Sequence, residues 1–321
     1  MVRWIFKKNL MERRKFIKNS LLTAGAMASA KYGFAEELSA KQPLRLTILH
    51  TNDVHSRLEP FPMDGSRMQG LGGVATRAQV IQQIRKHNEH VLLLDAGDIF
   101  QGTPYFNLYN GEPEIKAMTQ MRYDACTIGN HDFDGGIENF ALQMQHASFP
   151  CIVSNYDFTH TPLEGRTIPY KIIRKGPLKI GIYGLGIKLK GLVPENLYGK
   201  TVYMDPVVKA NEMADILKKK EKCDFIICLS HLGYKYREGN NISDELLAKE
   251  IQFTDLVIGG HTHTFLDEPA VYKDKNGSDV LVNQVGWAGV RLGRLDFSFE
   301  GVKKKNLLNA HSVVIGKKTS N

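Results

Sequence analysis

Short apolar runs separated by polar loop residues recur along the chain from residue 44 onwards. Leu44 to Leu49, Val91 to Leu94, Ala125 to Ile128, Ile152 to Ser154, Ile180 to Gly184, Phe225 to Leu229 and Leu256 to Ile258 are each too short for a buried helix, so they predict buried strands. Between them the period changes. Ile137, Phe140, Ala141 and Met144 repeat at i, i+3, i+4 and i+7, the spacing of one helix face. Asp205 and Pro206 supply an N-cap and a first-turn proline for a helix over Val207 to Lys220. Strand and helix in turn predict a layered α/β domain. Leu281 to Val285 and Val290 to Phe299, with Gly286 and Gly289 between them, read as a hairpin, which adds an antiparallel component. No internal repeat or low-complexity linker interrupts the pattern. It predicts one catalytic-sized domain over residues 41–300 and a tail over 301–321.

The 321 residues carry a formal charge of +8, but the charge is unevenly placed. Residues 1–30 hold +6 of it and the other 291 residues only +2. A nucleic-acid footprint is dense and local, and the body shows none beyond Lys303 to Lys305, which reads as a solvent-facing strand-end turn. The basic leader reads instead as an address. Val2 to Ser20 is basic, Leu21 to Ala30 is small and apolar, and Ala28-Ser29-Ala30 suits a signal peptidase. The apolar run is shorter than the roughly 20 residues that span a bilayer, so no stable membrane insertion follows removal of the signal. Arg13-Arg14-Lys15-Phe16-Ile17-Lys18 resembles a twin-arginine export signal. Residues 1–35 are therefore expected to be an export signal directing the protein to the periplasm. Cys126, Cys151, Cys223 and Cys228 lie in apolar runs at spacings that match no zinc knuckle, and read as buried thiols.

Polar residues with chemistry follow the strands. Asp53-Val54-His55 comes after the first and Gly97-Asp98 after the second; Gly129-Asn130-His131-Asp132, Ser230-His231 and Gly259-Gly260-His261-Thr262-His263 come after later ones. Ligand sites of α/β sheets lie beyond the carboxyl ends of the strands, so these five loops are expected to converge. Their N and O donors, without thiolates, suit Zn, Mn, Fe or Mg. There are too many for one tetrahedral ion, and two divalent metals fit better. The remaining histidines, His50, His87, His90, His146, His160 and His311, read as ordinary polar residues.

These strings resemble the calcineurin-like metallophosphoesterases. Leu49-His-Thr-Asn-Asp-Val-His55, Gly97-Asp-Ile-Phe-Gln-Gly-Thr103 and Asn130-His-Asp-Phe-Asp134 are similar to the 5'-nucleotidase branch, and the resemblance runs from about Leu44 to Phe299. It implies a four-layer α/β/β/α sandwich with mixed sheets. It implies that Asp53, His55, Asp98 and His263 hold a first metal and that Asp98, Asn130, His231 and His261 hold a second, with Asp98 bridging. His131 and Asp134 would be the catalytic pair. Asp134 has a second reading as N-cap of a helix starting at Gly135. The activity implied is two-metal hydrolysis of phosphomonoesters, foremost nucleoside 5'-phosphates. Alternatives are hydrolysis of 2',3'-cyclic nucleotides, nucleotide sugars or thiosulfonate-type anions, or service as the accessory metal-binding subunit of a split nucleotidase. Full-length 5'-nucleotidases carry a second domain that grips the base. The expectation here is that a separate polypeptide supplies it or that the substrate is held less specifically. Phe265 and Trp287 read as core or rim packing.

Overall fold

The computed structural model describes residues 43–238, 241–301 and 304–316. The export signal expected over residues 1–35 lies outside them. Thirteen strands are described: β1 (Leu44–Thr51), β2 (Val91–Asp95), β3 (Ala125–Cys126), β4 (Tyr156–Asp157), β5 (Tyr170–Lys175), β6 (Leu178–Leu185), β7 (Val202–Tyr203), β8 (Phe225–Ser230), β9 (Leu256–Gly259), β10 (Ala270–Lys273), β11 (Asp279–Asn283), β12 (Arg291–Glu300) and β13 (Lys304–Val314). The helices are α1 (Val74–His87), α2 (Pro104–Tyr109), α3 (Glu112–Met121), α4 (Ile137–Gln143), α5 (Glu195–Tyr198), α6 (Pro206–Asp215) and α7 (Asp244–Glu250). One mixed sheet has the order β13-β12-β1-β2-β3, the other β10-β11-β9-β8-β6-β5, and β4 pairs with β7 separately.

Burial on both strand faces explains the layering. Leu46 and Ile48 of β1, Leu92 and Leu94 of β2, and Phe297 and Phe299 of β12 meet Ile180, Phe225, Ile227 and Ile258 in the core between the sheets. The alternate residues face outward onto helices. Leu49 and Leu93 pack with Ile81 of α1, Ile115 of α3 and Phe140 of α4. Tyr183, Ile226 and Val257 pack with Ala210 of α6 and Leu247 of α7. The result is the expected α/β/β/α sandwich. Strands covered on both faces show continuous apolar runs in place of alternation.

Several local expectations appear as drawn and others are corrected. Asp205 Oδ1 accepts the Val208 N–H at 2.9 Å at the start of α6, while Ile216–Lys220 continues as a wider π turn. Residues 152–154 form no named strand; Ile152 makes only an isolated bridge to Ile168, beside Cys151 bridging to Cys126. The four cysteines are buried and free. The expected hairpin of Leu281–Val285 with Val290–Phe299 does not form. β11 pairs with β9 and β10 in one sheet, and β12 pairs with β1 and β13 in the other. The chain crosses between sheets because Asn52 captures the connection: Nδ2 donates to Gly286 O at 2.6 Å and Oδ1 accepts the Val285 N–H at 3.0 Å. Residues 304–316, within the expected tail, are not simply a tail either. β13 runs antiparallel to β12 along the sheet edge, and Ile315 is fully buried. Lys305 within it pairs with Asp255, so that part of the lysine run is not a free turn.

β1, β2 and β3 run parallel, as do β6, β8 and β9. Their carboxyl ends carry the loops with the predicted chemistry.

Candidate metal centre

The loops after β1 and β2 are laced together by backbone bonds. Asp53 N–H donates to Gly97 O at 2.9 Å, His55 to Asp98 O at 3.1 Å and Ser56 to Ile99 O at 2.8 Å. Most ligand-bearing positions adopt the left-handed region that side-chain-bearing residues avoid: Asp53 (φ 50°), His55 (51°), Asp98 (55°), His261 (72°) and His263 (52°). Such conformations persist where the surroundings over-determine them, and they collect at functional sites.

The side chains gather into two triads, Asp53/His55/His263 and Asp98/His231/His261, the ligand atoms of each within 4.8 Å of one another. His55 Nε2 and His263 Nε2 are 3.0 Å apart, and His263 Nε2 is 3.4 Å from Asp53 Oδ1. His231 Nε2 lies 3.0 Å from Asp98 Oδ2 and 4.0 Å from Asp53 Oδ1, while His55 Nε2 lies 3.9 Å from Asp98 Oδ2. Asp98 thus faces both groups. Asn130 Oδ1 sits 2.8 Å from His261 Nδ1, at the second triad. Gly129 makes room there, because a Cβ on it would lie 2.1 Å from Asp98 Oδ1.

The donor set fits divalent cations on two further observations. Asp98 Oδ2 and His231 Nε2 are fully buried 3.0 Å apart and have no other hydrogen-bond partner among the described residues, an arrangement that needs a cation, proton or metal, between them. His231 Nδ1 is engaged by the Ala96 carbonyl at 2.7 Å, so it carries the proton and Nε2 offers its lone pair. The electrostatics agree. Burial pushes the Asp98 carboxyl up, but His231 and then His55 overcome this and hold it well below the usual range. Burial pulls His231 down, yet the Asp98 carboxylate prevails and lifts it to about 10, so a proton takes the place a metal would take. Burial, aided by the His231 charge, lowers His261 to about 4.

His131 stands beside this cluster. Its Nδ1 is 2.7 Å from Asp134 Oδ2, and that hydrogen bond raises its pKa against burial. Its ring centroid is 5.3 Å from that of His55, and its side chain is 38 % exposed. Asp134 does not cap the next helix: α4 begins at Ile137 after Gly136, and Asp134 closes the 3₁₀ turn His131–Phe133.

Sequence reading missed the residues that brace these loops. The buried Asp132 carboxylate accepts backbone N–H groups of Asp98, Ile99, Phe100 and Gly129 at 2.8–3.1 Å, tying the β2 and β3 loops together. Asn52 Nδ2 also holds Asp53 Oδ2 at 2.6 Å. Gln284 bonds Gly260 O, the Thr264 N–H and Thr262 Oγ1, fixing the loop of His261 and His263. Asn52 and Asp132 adjoin the ligands in the motifs and were findable there. Gln284 carries no local signal. Trp287 stacks on His263 at 5.8 Å and 12°, and Phe265 is partly exposed under Arg291.

A two-sheet α/β/β/α sandwich with two N/O triads at its strand ends defines a dinuclear metal-site protein. The chain belongs to the calcineurin-like phosphoesterase family, whose model matches residues 46–265. It is 36% identical over 279 residues to the snake venom 5'-nucleotidase of Crotalus adamanteus, covering 79% of this chain and 45% of that protein. The 5'-nucleotidase precursor of Thermus thermophilus superposes with a TM-score of 0.75 at 32% identity, over 85% of this chain and 55% of that one. The Bacillus subtilis calcineurin-like phosphoesterase YfkN gives a TM-score of 0.66 at 26% identity, over 85% of this chain and 91% of that one. The chain spans about half the length of the curated relatives it matches.

Proposed function

We propose that this chain is an exported two-metal phosphomonoesterase acting on nucleoside 5'-phosphates. The observation that carries the reading is the Asp98 carboxylate, fully buried and facing both triads, with Oδ2 3.0 Å from His231 Nε2 and 3.9 Å from His55 Nε2. Asp53, His55, Asp98 and His263 would hold one ion, and Asp98, Asn130, His231 and His261 the other. The ions, when bound, supply a nucleophilic hydroxide at neutral pH and charge for the phosphoryl oxygens. The protein's own contribution is placement and proton control. Asp134 fixes the His131 ring through Nδ1, leaving Nε2 to meet the phosphoryl group or the leaving oxygen. Asp134 also raises the His131 pKa, favouring the protonated ring that donates to a leaving alkoxide or stabilises equatorial charge. A cationic imidazole beside two metals is costly, so the Asp134 carboxylate acts as charge compensation as well as orienter.

The nucleotide preference is supported by the 5'-nucleotidases among the relatives. Trp287 is stacked on His263, and Tyr236 lies 6.5 Å from the His261 ring with its hydroxyl on Leu232 O. Base recognition is assigned to a further domain or a separate polypeptide, in keeping with relatives about twice as long as the stretch they share with this chain. Export to the periplasm rests on Arg13-Arg14-Lys15-Phe16 ahead of the apolar Leu21 to Ala30.

Phosphate release from AMP, p-nitrophenyl phosphate and bis(p-nitrophenyl) phosphate by the metal-loaded chain tests the reading. Turnover of the monoesters, abolished by chelator, is expected. A faster diesterase than monoesterase activity would overturn it.

A further inference from the structure

One buried set of charges is not used by this mechanism. Arg77 of α1 is 2 % exposed and Glu114 of α3 is 3 % exposed. Among the described residues Arg77 Nε and Nη1 have no hydrogen-bond partner, the Glu114 carboxyl is approached only by the Ser56 hydroxyl and its own backbone, and no direct ion pair joins the two groups. The Arg77 charge acts on Asp95 and Tyr123, and a guanidinium and a carboxyl group both buried without direct contact are unfavourable. Arg77 and Glu114 both line a small cavity together with Val54, Asp95, Ile99 and Tyr123, with about 10 Å³ of room for a water's centre. That is about the least that holds one molecule, and a buried water needs two to four polar partners. The fully buried Ser56 hydroxyl acts on the Glu114 carboxyl and opposes the rise in pKa that burial causes.

The place of this cavity matters more than its size. Val54 stands between the ligands Asp53 and His55, and Ile99 follows Asp98. Asp53, His55, Ser56 and Asp98 all hold left-handed backbone, which must be enforced from below. Arg77 also supports the crossing between sheets: a Cβ on Gly289 would lie 2.1 Å from its Nη1, and the neighbouring Ala288 N–H holds Asp53 O at 2.7 Å. We propose that one internal water bridges the Arg77 guanidinium to the Glu114 carboxylate, and that this bridged pair is a positioning device for the first metal's ligand loops. The water accepts from Arg77 and donates to Glu114, which turns the unpartnered charges into a satisfied network, and such networks rigidify what they touch. The inference rests on the two-metal assignment and is independent of the substrate.

The test uses Co²⁺ titration of the metal-free full chain, reading affinity and visible absorption, with Glu114→Gln and Arg77→Lys variants. Glu114→Gln is expected to weaken one of the two ions by about tenfold or more and to shift its spectrum, the range seen when outer-shell partners of metal ligands are removed. Arg77→Lys, which keeps the charge, is expected to lose less. Wild-type affinity and spectrum in folded Glu114→Gln would overturn the proposal. If that variant does not fold, a high-resolution crystal structure of the wild type decides: a single water between the two groups supports the bridge, and direct contact without water overturns it. Because ion binding is read without turnover, failure to hydrolyse AMP would leave this result standing.

Discussion

His131 and His50 carry the same ring in opposite surroundings, and the difference predicts what each does. His131 has a carboxylate on Nδ1 and an exposed face, so it gains basicity and is available to a substrate. His131→Ala is expected to leave both ions bound while kcat falls by about 10² or more. Metal analysis beside steady-state kinetics checks this, and loss of an ion would show that His131 is a ligand. His50 is fully buried, held by Asn283 Nδ2 at 2.9 Å, and burial lowers it to about 3. The unfolded chain titrates this group near 6.5, so between pH 6.5 and 3 the unfolded state binds the extra proton. The stability contributed by neutral His50 is present above 6.5 and lost as pH falls toward 3. The advantage of wild type over His50→Gln should shrink by up to about 1.4 kcal/mol per pH unit across that window. Urea melts of the metal-free proteins at pH 7 and pH 5 measure it, and parallel curves would refute it.

At the scale of elements, β13 shows how a strand escapes sequence reading. Its described side chains are mostly exposed, Leu308 among them, and the strand is held by its ladder to β12. Without a buried face there is no periodicity to detect. The anchor comes one residue later. Ile315 is fully buried; its N–H donates to Val290 O at 2.9 Å and its carbonyl accepts the Gly72 N–H at 2.8 Å. Ile315→Ala should therefore cost about 2–5 kcal/mol, the range for a buried isoleucine, whereas Leu308→Ala should stay within about 0.5 kcal/mol. Equal effects in chemical denaturation would return residues 304–316 to the status of a tail. The misjudged hairpin has a related cause. Two apolar strands around glycines look alike whether they pair with each other or with more distant partners, and here Asn52, 233 residues before Val285, decides.

For the whole molecule, the metals are expected to be part of the stability as well as the chemistry. Each ion that binds only the folded chain stabilises it by RT ln(1 + [L]/Kd), about 2.7 kcal/mol at a hundredfold excess over Kd. Chelator-treated protein should take up two equivalents, with a rise in Tm for each, and Asp98→Asn should hold fewer than two. Calorimetric titration showing one equivalent in the wild type would remove the two-metal reading. The order of residues alone determined the layered α/β class, the strands buried on both faces and the polar segments that follow them. Those signals are local: an apolar run ends, and Asp, His or Asn begins within a few positions. Tertiary structure alone decided which sheet each strand joins and which polar residues hold the ligands; the division of the ligands between two ions was implied by the family resemblance and by no local pattern. Strand pairing is chosen by contacts across the whole chain, so no local window contains it. Arg77, Glu114 and Gln284 show the same limit, because a charged or amide side chain reads as solvent-facing until the fold buries it.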